Sequence, residues 1–429
     1  MTLLEDKKDV FLRQFEDLDR KRRPRHYDMQ RRLGRGLFGD LGFPGAKTED
    51  WRFTNVAPLL RVPFALAEPN RADLPLPLPA APDAVRLVFV NGVYSAEESR
   101  IPAALRIAVG SLAQPAPEHL RQIESLLGQI ADPSDHVFTA LNAGLVSDGA
   151  YILLPPDTAF IEPIEIIYCT AGGAQPVATY PRTLIFAGRA SQARIVERYV
   201  GKAGGVYLTD AVTEIVVEQG ANVDHYKVQE ESLGGNHLAN TQVVQKRDSV
   251  FTSHYVSRGA ALARNETRVR FDGQGCTATV NGLYVARGKQ HVDNFTVIDH
   301  AQPHCASHEL YKGVLDGEAH GVFNGKIFVR QDAQKTDAKQ TNKVLLLSDK
   351  AVIDTKPQLE IFADDVKCTH GATIGQLDAT QLFYLQARGI PRDEARKILT
   401  FAFANDIVSR IQIESLRQEL EDWLVKDGA

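Results

Sequence analysis

Apolar residues near the N-terminus recur at the spacing of an amphipathic helix. Phe11, Phe15 and Leu18 stand at positions i, i+4 and i+7, which share one face of an α-helix. A second helical stretch is predicted over residues 27–33. Three closely spaced glycines come next and are expected to end that helix: Gly34, Gly36 and Gly39.

After these helices the pattern changes from periodic to extended. Residues 58–82 are rich in Pro, Leu and Ala with little periodicity, which is typical of an extended connector or a wrapped arm. A strand is predicted over residues 85–90, and Asn91 with Gly92 after it gives a strong turn signal. A further helix is predicted over residues 118–127.

Beyond about residue 146, short β-branched and aromatic runs alternate with Gly, Asp and Asn, which predicts an all-β region. From Asp248 onward, turn-like residues recur about every fifteen positions, which indicates stacked repeats. A propeller blade needs four strands and roughly forty residues, whereas a β-helix reuses a shorter unit. We therefore predict a flattened β-helix with two units in each coil. The recurring positions are Asp248, Gly259, Gly273, Gly288, Gln302, Gly317, Asp332, Asp349 and Asp364.

Helical signals return after Asp378. This residue is a favoured N-cap, Gly389 suits the end of the helix that it starts, and Pro391 opens the next helix. The patterns together divide the chain into three regions. They are a mostly helical region with a connector over residues 1–145, a β-helix core over 146–377 and a helical region over 378–429.

Composition narrows the class of protein. Hydrophobic residues make up 44% of the 429 residues, which is enough to fill a core. The formal net charge of −5 argues against a nucleic-acid interface or a strongly basic membrane-binding surface. The first residues carry charges where a secretory signal would need an apolar run, and no later run reaches membrane-spanning length. A cytoplasmic protein that binds neither nucleic acid nor membrane is therefore expected.

Two segments look like known sites but lack the chemistry. Residues 321–327, GVFNGKI, place three residues between the glycines and no Ser or Thr after the Lys, so they do not qualify as a phosphate-binding loop. In the HCASH segment, a strand would send His304 and His308 to one side and Cys305 to the other. That arrangement disfavours one tetrahedral metal site, and polar residues on the wall of the β-helix are expected instead.

The VKCTHG segment is the stronger candidate. Cys368 and His370 are two residues apart and therefore project from the same face of any extended segment. A thiol and an imidazole can ligate iron, but two ligands cannot enclose a cluster, which usually takes four. A partner chain would have to complete the site. The alternative, a buried thiol beside an ordinary histidine, stays open. The other cysteines lie far apart, as expected in a reducing compartment: Cys169, Cys276 and Cys305.

Four segments between Ser307 and Ala395 are distinctive: SHELYKGVLDGEAHGVFNGKI, QDAQKTDAKQTNKVLLLSDKA, KPQLEIFADDVKCTHGATIGQLD and FYLQARGIPRDEA. Together they resemble the SufB/SufD family of the SUF iron-sulfur cluster assembly system. The sequence HGATIGQLD is similar to the SufD branch of that family. KTEDWRFTN, at residues 47–55, gives weaker support.

The resemblance implies a right-handed parallel β-helix core with helical ends, in a subunit that is not itself an enzyme. In this family the C-terminal helices dock the ABC-type ATPase SufC, and SufB pairs with SufD through the β-helix ends. His370 then corresponds to the histidine at the SufB interface where the nascent cluster forms, a metal ligand completed by SufB, with Cys368 beside it. The helices that dock SufC are expected to present Leu382, Ile398, Leu399 and Phe403.

The resemblance also implies what the chain binds. No cofactor is expected to bind tightly to this chain alone, and transient iron or a nascent iron-sulfur cluster is expected at the SufB interface. Flavin binding by the complex and a homodimer of the isolated chain stay open. One alternative is a SufB-type cluster scaffold, disfavoured because only Cys368 lies in the recognisable motif. The other is a carbohydrate-active β-helix enzyme, disfavoured because no convergent set of carboxylates is evident.

Overall fold

The chain winds into a flattened β-solenoid whose strands alternate between two sheets. The structure, a computed structural model, describes residues 8–21, 25–68, 75–79, 84–102, 108–134 and 136–426. Through most of the solenoid each strand pairs in parallel with the strand two places further along the chain, so one coil uses one strand of each sheet. About eight turns result, with helices at both ends. The predicted mainly β fold with two repeat units per coil is confirmed.

The two sheets face each other along the solenoid. Sheet I contains β1 (Ala65–Leu66), β4 (Val109–Ser111), β5 (Gly149–Leu154), β7 (Val177–Thr179), β8 (Arg182–Ala187), β10 (Tyr207–Val217), β12 (Gly235–Gln245), β14 (Leu262–Phe271), β16 (His291–His300), β18 (His320–Val329) and β20 (Val352–Ile361). Sheet II contains β2 (Val85–Val90), β3 (Val93–Tyr94), β6 (Ile164–Thr170), β9 (Gln192–Gly201), β11 (Asn222–Glu230), β13 (Val250–Ser257), β15 (Thr277–Ala286), β17 (Ala306–Leu315), β19 (Asp337–Leu346) and β21 (Lys367–Gly375). The largest core cluster fills the space between the sheets, because alternate residues of every strand point inward.

Helices from the N-terminal region pack on the outer face of sheet I. They are α1 (Asp9–Lys21), α2 (Asp28–Asp40) and α4 (Val137–Leu145), with α3 (Leu120–Leu126) beside them. Phe11, Phe15 and Leu18 are buried, as their helical spacing predicts, in a cluster that reaches outward-facing residues of sheet I such as Leu208 and Leu238. The N-terminal helices therefore cover one side of the solenoid.

The prediction that glycines end the second helix is wrong. Helix α2 continues to Asp40 through Gly34, Gly36 and Gly39. Gly34 faces α4 so closely that an added Cβ would lie 2.5 Å from the backbone nitrogen of Gly144. The glycine serves close helix–helix contact rather than helix termination, a distinction that depends on tertiary packing.

The predicted turn at Asn91 and Gly92 is confirmed. Both residues have positive φ, 50° and 75°, and they join β2 to the antiparallel β3. Strand β2 also pairs with β6, so the solenoid includes a strand that precedes residue 146 in the chain. The division of the chain at residues 145 and 377 stays a prediction. The connector expected over residues 58–82 contains β1, which pairs with β7. Residues 69–74 and 80–83 lie outside the described residues.

The C-terminal helices are α5 (Ala379–Ala387), α6 (Arg392–Val408) and α7 (Glu414–Lys426). Asp378 caps α5, because its carboxylate accepts hydrogen bonds from the backbone N–H groups of Thr380 and Gln381. Helices α6 and α7 bury an apolar cluster against the outer face of sheet II. Glu419 of α7 also pairs with the buried Arg198 of β9 at 2.6 Å. Each sheet is thus covered by a different end of the chain.

Candidate functional site

The VKCTHG segment forms the start of β21, which is the last strand of sheet II in the described part of the chain. In the parallel register Cys368 is paired with Ala338 and His370 with Gln340, both of β19. Ala338 and Gln340 are buried inside the solenoid, so Cys368 and His370 belong to inward-facing positions of the final coil. The prediction that they share one face is confirmed by this register.

No later strand of the described chain covers β21, and its two candidate side chains differ in exposure. Cys368 packs partly against the main core, and His370 is exposed. Burial raises the pKa of the Cys368 thiol, so the protonated thiol predominates in the chain alone. An approaching metal ion or cationic group would have to favour the thiolate before Cys368 could act as a ligand.

Two buried polar residues lie in the coils next to His370, and the sequence analysis did not identify them. Gln340 is the register partner of His370, and Glu309 of β17 is the register partner of Gln340. The amide Nε2 of Gln340 donates a 2.6 Å hydrogen bond to Glu309 Oε2. Burial raises the pKa of Glu309 to about 7. The repeat could have revealed them, since Glu309 and Gln340 are 31 residues apart, about one coil.

The HCASH segment does not form a strand throughout, which corrects the sequence analysis. His304 has a φ of 60° and stands in the turn before β17, so it does not share a strand face with His308. Cys305 is buried, and His308 lies half-buried within β17. Across the residues that the structure describes, no group of three or more His, Cys, Asp or Glu side chains is arranged to hold a metal ion.

The remaining cysteines are enclosed by the solenoid. Cys276 and Cys305 stand just before register-paired positions of β15 and β17, and both belong to the core. A hydrogen bond from the Cys305 thiol lowers the pKa of Cys276 to about 7. Burial raises the pKa of Cys169 to about 12. Cys368 is therefore the cysteine closest to solvent, since the other three are buried.

The four residues expected to dock a partner differ in how exposed their side chains are. Leu382 and Leu399 are half-buried, and Ile398 is 44% exposed. The half-buried Phe403 faces the solenoid, where its ring lies 4.6 Å from Lys312 Nζ and its carbonyl accepts a hydrogen bond from that amine. Lys312 also forms an ion pair with Asp406, which fixes α6 on β17.

Helix α5 carries exposed aromatic residues that the sequence analysis did not single out. None of its residues is buried, and Phe383 and Tyr384 are 70% and 55% exposed. Further exposed apolar side chains lie on the final coil at Val352, Phe362 and Ile374. Exposed apolar side chains that form a contiguous patch mark interaction surfaces in soluble proteins. Helical periodicity alone could not show which side of α5 stays uncovered.

Two family models match nearly the whole chain. The model described as "SUF system FeS cluster assembly, SufBD core domain" matches residues 168–403, and "SufBD protein N-terminal region" matches residues 8–166. The chain belongs to the SufBD family.

Curated relatives of the SufBD family cover most of this chain. A SufBD family protein of iron-sulfur cluster assembly from Synechocystis sp. is 34% identical over 90% of this chain and 87% of its own length. The iron-sulfur cluster assembly protein SufD of Escherichia coli is 29% identical over 88% of each chain. SufD of Bacillus subtilis is 31% identical over 67% of this chain and 65% of its own. The chain is thus a SufD-type member of the SufBD family.

None of the helices found in the described ranges is both long and apolar enough to cross a membrane.

Proposed function

We propose that this chain is the SufD-type subunit of a cytoplasmic complex with SufB and the ABC-type ATPase SufC, and that it supports cluster assembly and iron acquisition without catalysing a reaction itself. The observation that carries the proposal is the open final coil, where Cys368 and His370 occupy inward-facing positions that no later strand of the described chain covers. A thiol and an imidazole leave the coordination of an iron ion incomplete. A second protein would therefore supply the remaining ligands.

The final coil is the surface proposed to meet SufB. Among the residues that the structure describes, β20 and β21 are each paired on one side only, so their other backbone edges are available to a partner strand. The exposed side chains of Val352, Phe362 and Ile374 lie on the same coil. Backbone pairing combined with apolar contact is a common basis of strand addition between proteins. A partner seated here would enclose Cys368 and His370.

Helices α5 and α6 are the surface proposed for SufC. Phe383, Tyr384 and Ile398 are exposed on these helices, while the opposite side of α6 packs on the solenoid. Movement of the ATPase would act on α6 and, through the Lys312–Asp406 pair, on β17. Strand β17 lies two strands from β21 in sheet II, so such a movement could reshape the seam around His370.

Iron, or a nascent cluster, is the proposed cargo at this seam. His370 would bind iron as the neutral imidazole, the form that leaves a ring nitrogen free to ligate. Cys368 would serve beside it only as a thiolate, which its raised pKa disfavours in the isolated chain. No tightly bound cofactor of this chain alone is part of the proposal, and a flavin would belong to the assembled complex.

Substitutions in VKCTHG test the proposal. In a complex formed with SufB and SufC, His370→Ala should leave assembly of the complex intact and reduce cluster formation, measured by iron and sulfide content. The side chain is exposed, so the free energy of unfolding should fall by about 1 kcal/mol or less. Thr369→Ala is the matched control, because Thr369 is also exposed but faces the opposite side of β21.

Cys368→Ala distinguishes between the two roles considered for the thiol, a metal ligand and a structural core residue. A ligand role predicts reduced cluster formation at an unchanged melting temperature, and a structural role predicts a lower melting temperature. If His370→Ala and Cys368→Ala complexes both assemble clusters at the wild-type rate, the functional interpretation of this site is wrong.

The alternative of a SufB-type scaffold has its own test. An isolated chain of that type would retain iron and sulfide after reconstitution without partners, whereas the proposed subunit would not. The carbohydrate-active enzyme finds no support in the family to which the chain belongs.

A further inference from the structure

Three side chains form a row across the last three strands of sheet II in the described part of the chain. Glu309, Gln340 and His370 occupy consecutive positions of one inward-facing register row, on β17, β19 and β21. Adjacent parallel strands are about 4.8 Å apart, so neighbouring side chains in such a row are within reach of each other. The row ends at the solvent-exposed face of the final coil.

The amide of Gln340 has a defined orientation within this row. Its Nε2 donates to Glu309 Oε2. Above the raised pKa of Glu309, about 7, the carboxylate is ionised and can only accept, so the NH₂ group faces Glu309. The carbonyl oxygen Oε1 is then directed away from Glu309. Gln340 is 1% exposed, and Oε1 has no hydrogen-bond partner among the described residues. A buried acceptor without a partner is costly, and native proteins seldom leave one unused.

We propose that the exposed imidazole of His370, by rotating about its side-chain torsions, donates a ring N–H to Gln340 Oε1, and that Gln340 and Glu309 are positioning residues for this imidazole. The bond would fix one tautomer and leave the lone pair of the other ring nitrogen free toward the open end. Histidines that bind metals are generally oriented by a hydrogen bond from the second ring nitrogen to a carbonyl or carboxylate. Glu309 acts indirectly, by fixing which end of the Gln340 amide meets His370. The use of this arrangement for iron rests on the proposed function, whereas the hydrogen bond does not.

The tautomer of His370 is the measurement that tests the proposal. The full-length chain would be labelled at its histidine ring nitrogens and studied by NMR at about pH 8, where imidazole is neutral. Comparison with His370→Ala identifies the signals of His370 among the 12 histidines. We expect a single dominant tautomer in the wild-type chain. Gln340→Met, which keeps the length of the side chain without its amide, should give the tautomer mixture of a solvent-exposed histidine.

Two further variants keep the test specific. Asn342→Leu removes another buried amide from β19, but its register partner is Ala372, so the His370 signals should not change. Exchanging the two residues, Glu309→Gln with Gln340→Glu, keeps a donor facing an acceptor and an acceptor oxygen toward His370, and should restore the single tautomer. A tautomer mixture in the wild-type chain, or unchanged signals in Gln340→Met, would overturn the proposal. Neither result depends on iron or partners, so a failure here is distinguishable from failure of the proposed function.

Discussion

At the scale of residues, the buried carboxylates of the solenoid differ in whether a cation accompanies them. Burial alone would raise the pKa of Glu197, but the hydrogen bond and charge of His225 and the charge of Lys227 lower it to about 2. For Glu309, burial outweighs the lowering by its uncharged neighbours Gln340 and Thr296, and the pKa is raised to about 7. Glu309 therefore changes protonation in the neutral range, and Glu197 does not.

Glu309 should make stability depend on pH. An acid whose pKa rises from 4.5 to about 7 on folding stabilises the folded state. This contribution is complete below the unfolded pKa of 4.5 and is lost as pH rises through 7. Glu309→Gln removes this effect. Relative to the variant, the wild-type chain should lose about 3 kcal/mol of unfolding free energy between pH 4 and pH 8. Urea unfolding of both proteins across this range checks the prediction, and parallel pH profiles would contradict it.

At the scale of elements, helices α2 and α4 approach each other through glycines. An added Cβ at Gly34 would meet the backbone of α4, and one at Gly144 would lie 2.4 Å from a ring carbon of Phe15. Backbone atoms cannot move aside as a flexible side chain can, so the contact depends on the missing side chains. Gly36, on the same helix, has nothing within 4 Å of its would-be Cβ.

Gly34→Ala and Gly36→Ala should therefore have opposite effects. Gly34→Ala forces α2 away from α4 and should lower the free energy of unfolding by about 1–3 kcal/mol. Gly36→Ala adds a better helix former at an open site and should raise it by about 0.5–1 kcal/mol. Chemical denaturation of both variants measures the difference. Equal effects would show that the α2–α4 contact does not decide stability.

At the scale of the whole molecule, the two ends of the solenoid are finished differently. The first coils end in short antiparallel strands, β3 on β2 and β4 on β5, which close the sheet edges. The final coil exposes the edges of β20 and β21 together with Val352 and Ile374. Helices cover the outer faces of both sheets, so direct contact between the solenoids of two chains is expected at the final coil rather than along the sides.

In the absence of SufB, the final coil should support self-association of the isolated chain. Ile374→Glu places a charge on this apolar surface and should weaken the dimer at least tenfold, which corresponds to about 1.4 kcal/mol. Light scattering combined with size-exclusion chromatography over a concentration series measures the change. Leu233→Glu is the control, because Leu233 is also exposed but lies in the loop between β11 and β12. Equal weakening by both substitutions, or a wild-type chain that stays monomeric, would contradict the prediction.

The sequence by itself determined the features that depend on neighbouring residues. The turn at Asn91–Gly92, the cap at Asp378 and the shared face of Cys368 and His370 follow from local backbone preferences and the alternation of a strand. The repeat of about fifteen residues likewise fixed two strands per coil, since each unit has room for one strand and its turn.

Only the tertiary structure decided what depends on residues far apart in the chain. Gly34 continues a helix because α4 lies against it, and Gln340 comes beneath His370 because one complete coil separates them. Pairing register and burial arise from contacts between distant segments, which local propensity does not specify. For the same reason, the exposed side of α5 and the interior position of Glu309 became evident only in the folded chain.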